Sequence, residues 1–116
     1  MEKTLAIIKP DAVKKKLTGI IIKRIEEEGF DIIELKMTRL NKEEAEGFYA
    51  VHKDKPFFNS LTDFMSSGKI VLMVLERENA IEKWRQVMGV TDPALAEPGT
   101  LRHKYGFSIE RNAAHG

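Results

Sequence analysis

The order of apolar segments in this chain predicts an α+β fold, a ferredoxin-like βαββαβ sandwich whose antiparallel sheet is covered by helices. Three observations carry that expectation. Short apolar runs suited to strands alternate with stretches whose apolar residues recur every three to four positions. Strands separated by helices need crossover connections, and their right-handedness leaves few topologies. The resulting order, β-α-β-(αα)-β-α-β, is met most simply by the split βαβ arrangement.

Each element follows from local chemistry. "TLAIIKP" (4–10) is a short apolar run closed by Pro10 and reads as a buried strand. Asp11 is expected to cap the helix that follows. Val13, Leu17, Ile21 and Ile25 are spaced by four, a helical stripe with a break near Thr18, and Gly29 ends it. "FDIIELKMTRL" (30–40) alternates, with Ile33, Leu35 and Met37 facing one way and Glu34 and Lys36 the other. That predicts a strand with one wet face. Asn41 and Glu44 resemble a capping pair for a helix through Tyr49. "FFNSLTDFMSSG" (57–68) reads as a second short helix closed by Gly68. "KIVLMVLE" (69–76) is continuously apolar, as a central strand buried on both faces should be. Asn79 is placed to cap a helix carrying Ile81, Trp84 and Met88 on one face and ended by Gly89. Residues 90–101, with Pro93, Pro98 and Gly99, read as a long loop, and "GFSIE" (106–110) as the last strand.

Composition narrows the function. The 116 residues suit one domain, 1–116, and 42% apolar with 32% charged residues is an ordinary globular mix. Without cysteine there are no disulfides or thiolate metal sites, which is compatible with a reducing cytoplasm. No run approaches the roughly 20 apolar residues of a membrane span. The start, "MEKTLAIIKPD", lacks the layout of a signal peptide. The net charge of +1 argues against bulk attraction to nucleic acid or an acidic membrane. Anions must therefore be met by a local cluster of cations.

Candidates for such a cluster are Lys9, at the end of the first strand, Arg85, on the last clear helix, and Arg102, after the Pro/Gly loop. A cation at a strand end beside a helix start is well placed to meet phosphate. Any one of them alone reads as surface charge. Of the three histidines, His52, His103 and His115, none has metal-ligand spacing to another, so no protein metal cage is assigned. A neutral imidazole can attack phosphorus directly, and nearby cations would keep it neutral. Phe57 and Phe58 read first as core, although an exposed one beside a basic cleft could stack on a nucleobase. Tyr49, Thr91 and Asn112 are unremarkable in isolation. The residues alone lead to a small α/β domain with an anion site.

Together, however, "TLAIIKPDAV", "IIKRIEEEGFDIIELKM", "FYAVHKDKPFFNSL", "FMSSGKIVLMVLE", "RQVMGVTDPALAEPGTLRHKYG" and "ERNAAHG" resemble the nucleoside diphosphate kinase family across nearly the whole chain. The resemblance implies a ping-pong enzyme. It would move the terminal phosphate of a nucleoside triphosphate onto a histidine and then onto a nucleoside diphosphate. His115 stands at that histidine's position. By the same match Lys9 and Asn112 would hold the ribose 3′-hydroxyl, and Lys9 and Tyr49 would lie near the transferred phosphate. Arg85, Thr91 and Arg102 would grip phosphates bridged by Mg²⁺. Phe57 would stack on the base, with Leu61 packed beside it. The resemblance also implies a cytoplasmic homo-oligomer, a tetramer or hexamer built from a dimer that uses the second strand and first helix.

Relative to the family pattern, the sequence is expected to lack the tail that follows the histidine-glycine pair. That tail supplies a carboxylate near the histidine. Two rival expectations stand beside the enzyme reading. One is a low-activity member serving as a nucleotide-binding or scaffolding domain. The other is an RNA-binding sandwich, because "KYGFSIE" (104–110) faintly resembles an aromatic RNA-contacting strand motif. It lacks that motif's first glycine and second aromatic, and its strand is the last rather than the third.

Overall fold

The computed structural model describes residues 1–116. The first strand, β1 (Glu2–Ile8), runs into Pro10, whose fixed φ and missing N–H suit the first turn of α1 (Pro10–Lys14). The helical stripe is indeed broken. Lys16 takes φ 61°, and a second helix, α2 (Thr18–Glu27), begins after it. Gly29, at φ 83°, closes α2 and turns the chain into β2 (Asp31–Thr38). Asn41 and Glu44 form a full capping box for α3 (Lys42–Phe48). A single 3₁₀ turn at Ala50–His52 leads to α4 (Phe58–Met65). Next come β3 (Ile70–Arg77) and α5 (Ala80–Met88), which stops at Gly89 with φ 86°.

The sheet order is β2-β3-β1 with the last strand beyond β1, and every neighbouring pair is antiparallel. This is the predicted sandwich. β3 is central, and its side chains feed both faces. Val71, Met73 and Leu75 join Ala6 and Ile8 of β1 under Ile21 and Ile25 of α2 and Trp84, Val87 and Met88 of α5. On the opposite face Ile7 and Ile70 meet Ala45 of α3 and Leu61, Phe64 and Met65 of α4. Trp84 is 1% exposed and meets Phe30 edge-on.

Several expectations need correction. Residues 106–110 are not a strand. The last strand, β4, is only Ala114–His115, pairing with Ile8 and Ile7. "GFSIE" carries three turn-forming or polar residues among five, and it traces bends instead. The expected loop ends in a short helix, α6 (Leu101–Tyr105), capped by the Thr100 hydroxyl, which accepts from His103 N–H. Asp11 does not cap α1, and Asn79 does not cap α5 through its side chain, being itself left-handed at φ 52°. Ile81 faces outward at 46% exposure. β2 does not have one dry face. As an edge strand with a bulge between Ile32 and Glu34, it leaves Ile33, Leu35 and Met37 about half exposed.

Candidate active site

The site is built where β1, the α3–α4 arm, the end of α5 and the segment before β4 converge. A cleft of about 930 Å³ opens there. It is lined by Lys9, Tyr49, Phe57, Leu61, Arg85, Thr91, Arg102 and His115, which are all but one of the residues singled out from the sequence. The exception, Asn112, lies behind Lys9 and is 1% exposed. Its Oδ1 accepts from Lys9 Nζ at 2.7 Å, and its Nδ2 donates to the carbonyls of Ile109 and Thr91 at 2.8 and 3.0 Å. Asn112 thus aims the ammonium and ties the cleft's loop to its floor.

Lys9 stands between β1 and α1, at the N-cap position just before Pro10. Its Nζ also reaches the Glu110 carbonyl at 3.3 Å. Burial, reinforced by Arg102, lowers its pKa to about 8, against the pull of Asp11 and Glu110. Arg102 reaches the site from α6. Its Nη1 donates to the Gly89 carbonyl and its Nη2 to the Ala114 carbonyl, both at 2.9 Å, while Nε is buried without a partner. Burial lowers its pKa too. This guanidinium braces the end of α5 against β4 in addition to lending charge. Arg85 and Thr91 are exposed to the opening.

His115 sits in β4, not beyond it. Its backbone carbonyl accepts from Trp84 Nε1 at 3.2 Å, and its ring lies edge-on to Phe48 and Tyr49, with centroids 5.6 Å away in each case. Burial first, then the charges of Lys9, Arg102 and His52, push its pKa down to about 4. The imidazole is therefore neutral at pH 7 with a lone pair free to attack. Tyr49 is pushed up to about 12 by burial, and its hydroxyl has no partner within the chain. That leaves a polar group beside the ring ready to bond a substrate oxygen.

The far wall is apolar. Of the aromatic pair, Phe58 packs against the smaller core, while Phe57 stands 46% exposed in the cleft. Leu61, one helical turn from Phe57, lies beside it. His52 meets the Phe57 ring at 5.6 Å. His52, Glu110 and Ile109 line the cleft without having been given a role from the sequence. His52 lies three residues after Tyr49, a spacing that signals a shared side. Nothing local marks Ile109 or Glu110.

An aromatic shelf at one wall and cations around a neutral imidazole at the other suit one class of protein. It is a phosphotransferase whose substrates carry a base at one end and phosphates at the other. Similarity to known proteins agrees. Residues 2–116 match the family described as nucleoside diphosphate kinase. The nucleoside diphosphate kinase of Geobacter sulfurreducens is 58% identical over 116 residues, all of this chain and 85% of that protein. That of Desulfovibrio desulfuricans is 57% identical, over all of this chain and 84% of its own length. The structure of the Halobacterium salinarum enzyme in complex with CDP superposes with a TM-score of 0.96 at 41% identity, covering 98% of this chain and 75% of that one. The Aquifex aeolicus enzyme gives 0.96 at 45% identity, covering 98% and 83%. This chain belongs to the nucleoside diphosphate kinase family, and it is a phosphotransferase of that kind. The RNA-binding reading loses its footing, because its motif does not lie on a strand. The scaffolding reading is likewise not favoured.

Proposed function

We propose that the chain transfers the terminal phosphate of a nucleoside triphosphate to a nucleoside diphosphate through a phosphohistidine at His115. One observation carries the assignment: the His115 ring lines an open cleft together with Lys9, Arg85 and Arg102. A ring nitrogen attacks the γ-phosphorus, the bond from phosphorus to the bridging oxygen breaks, and the nucleoside diphosphate leaves with that electron pair. A second diphosphate then attacks the phosphohistidine and restores the imidazole. One cleft serves both halves because the first product leaves before the acceptor binds.

The other residues serve alignment and charge, the main requirements of phosphoryl transfer. Lys9, Arg85 and Arg102 offset the charge on the moving group, and Thr91 and Tyr49 add hydroxyls. Phe57 and Leu61 supply a stacking shelf that accepts any base through its π-face. Lys9 meets the ribose 3′-hydroxyl, and Asn112 serves it from behind by aiming the Lys9 ammonium. No three His, Asp or Glu side chains gather to cage a metal, and Glu110 is the one carboxylate on the cleft wall. Mg²⁺ is read as part of the substrate, arriving on the nucleotide phosphates. The half-exposed row on β2 supports a homo-oligomer built on a dimer, as a tetramer or hexamer. No helix is long and apolar enough to cross a membrane, and a cysteine-free chain acting on nucleotides fits the cytoplasm.

The test is direct labelling. With γ-labelled nucleoside triphosphate and Mg²⁺, the protein should take up acid-labile, alkali-stable label on His115. His115→Ala should take up none and lose transfer by at least about 10³-fold. Label that persists in the variant overturns the assignment.

A further inference from the structure

Asp11 was expected at a helix cap and is found elsewhere. Its Oδ2 accepts from the backbone N–H of Ala113 at 3.1 Å, in a buried position. Ala113 is left-handed, with φ 74°, and Ala114 N–H bonds back to the Asn112 carbonyl at 2.9 Å. A two-residue return over a positive-φ centre is a γ-turn of the rare, strained type. An L-residue stays there only when its surroundings over-determine it. The ladder between β1 and β4 cannot do that, since it begins at Ala114 and holds two pairs. Instead, the Ala113 carbonyl accepts from Lys9 N–H at 2.9 Å, and its N–H goes to Asp11. The turn ends one residue before His115. Asp11 itself does not line the cleft, so it touches no substrate there.

We propose that Asp11 is a positioning residue for phosphoryl transfer, whose carboxylate clamps the strained turn at Ala113 and so fixes where the His115 ring stands. The inference rests on His115 being the phosphate carrier. The chemistry asked of Asp11 is only that of an acceptor for one N–H. Its charge also helps Lys9 keep its proton, so the variants are compared well below pH 8, where Lys9 stays charged.

That distinction sets the experiment. Phosphohistidine formation is followed in a single turnover with Mg²⁺ and labelled nucleoside triphosphate, and the rate is normalised to the burst amplitude. Loss of folded protein lowers the amplitude but leaves that rate alone. Asp11→Asn keeps an acceptor oxygen and should stay within about threefold of wild type. Asp11→Ala should slow the step by about 10- to 100-fold through misplacement of the ring, with nucleotide affinity little changed. Adding Ala113→Gly to Asp11→Ala should recover much of the rate, because glycine takes positive φ unaided. An Asn variant as slow as the Ala variant, or an Ala variant at the wild-type rate, overturns the inference. Should Asp11→Ala show no melting transition, the Asn variant decides alone, and a loss beyond about tenfold counts against the clamp. A wild type that takes no label on His115 removes the reading beneath the inference. A labelled wild type with a slow Asn variant removes the inference alone.

Discussion

The two sides of β1 are held in opposite ways. Toward β3 it pairs through seven consecutive residues, Glu2 with Arg77 through Ile8 with Val71. Toward β4 it pairs through two. The first junction is a regular ladder over apolar core and carries no chemistry. At the second, side chains replace the ladder: Lys9 to Asn112, Asp11 to Ala113 and Arg102 to Ala114. The lesson is that a short, strained strand frees its neighbourhood for polar groups. The groups that brace His115 then overlap with those proposed to meet phosphate.

Breaking each junction separately tests that contrast. Lys9→Met should lower transfer by about 10²- to 10³-fold, because on the proposed mechanism it removes a charge that offsets the moving phosphate. Its effect on stability should be about 1–2 kcal/mol, since losing a buried ion whose charged form is disfavoured partly offsets leaving Asn112 Oδ1 without its partner. Leu75→Ala, in the middle of the β3 ladder and 0% exposed, should do the reverse. Denaturant unfolding should show a loss of about 2–5 kcal/mol, with transfer per folded molecule close to wild type. If both variants lose rate and stability together, the two junctions are one cooperative unit.

The same contrast explains what the sequence made legible. The ladder side was readable because "TLAIIKP" and "KIVLMVLE" carry continuous apolar patterns, and Asn41 with Glu44 marks a helix start by known chemistry. The β4 side was not. A two-residue strand has no period, and an alanine at φ 74° leaves no trace in composition. Asp11 looked like a helix cap because local spacing permits it, while its actual partner lies 102 positions along. The site residues were singled out by family resemblance, and the structure gathers them around one cleft. The braces made by Arg102 and Asn112 depend on tertiary geometry that no spacing encodes.

Titration probes the β4 junction and its cleft alone. His115, with its pKa pushed down to about 4, should stay a competent nucleophile well below neutrality. Transfer should fall tenfold per pH unit only below about 4. Stability behaves differently. Between about pH 6.5 and 4 the unfolded chain takes up this proton first, so the contribution of His115 declines as pH falls through that window. On the alkaline side Lys9 loses its charge near pH 8, and transfer should decline above it. From there to about 10.5 the unfolded chain holds the Lys9 proton longer, so this residue's contribution to stability rises as activity drops. Tyr49 is held near 12 and stays protonated through that limb. In Lys9→Met the alkaline decline should vanish from the kcat/KM profile, which reports the nucleotide-free protein.

The smallest effect within a single chain is expected at β2. Leu35 and Met37 pair with Met73 and Val71, so their side chains continue the row that forms the main core. The helices on that face stop short of them, and both remain about half exposed. Replacing Leu35 with Ser removes little buried contact and should change unfolding of the isolated chain by no more than about 0.5 kcal/mol. Its consequence should appear in assembly instead. If this row is covered by a second copy, light scattering should show Leu35→Ser shifted toward lower mass at a protein concentration where the wild type stays assembled, while Ile81→Ser, exposed on α5, should not shift. Equal masses for Leu35→Ser and wild type across a dilution series would place the interface elsewhere and leave the edge of β2 as plain surface.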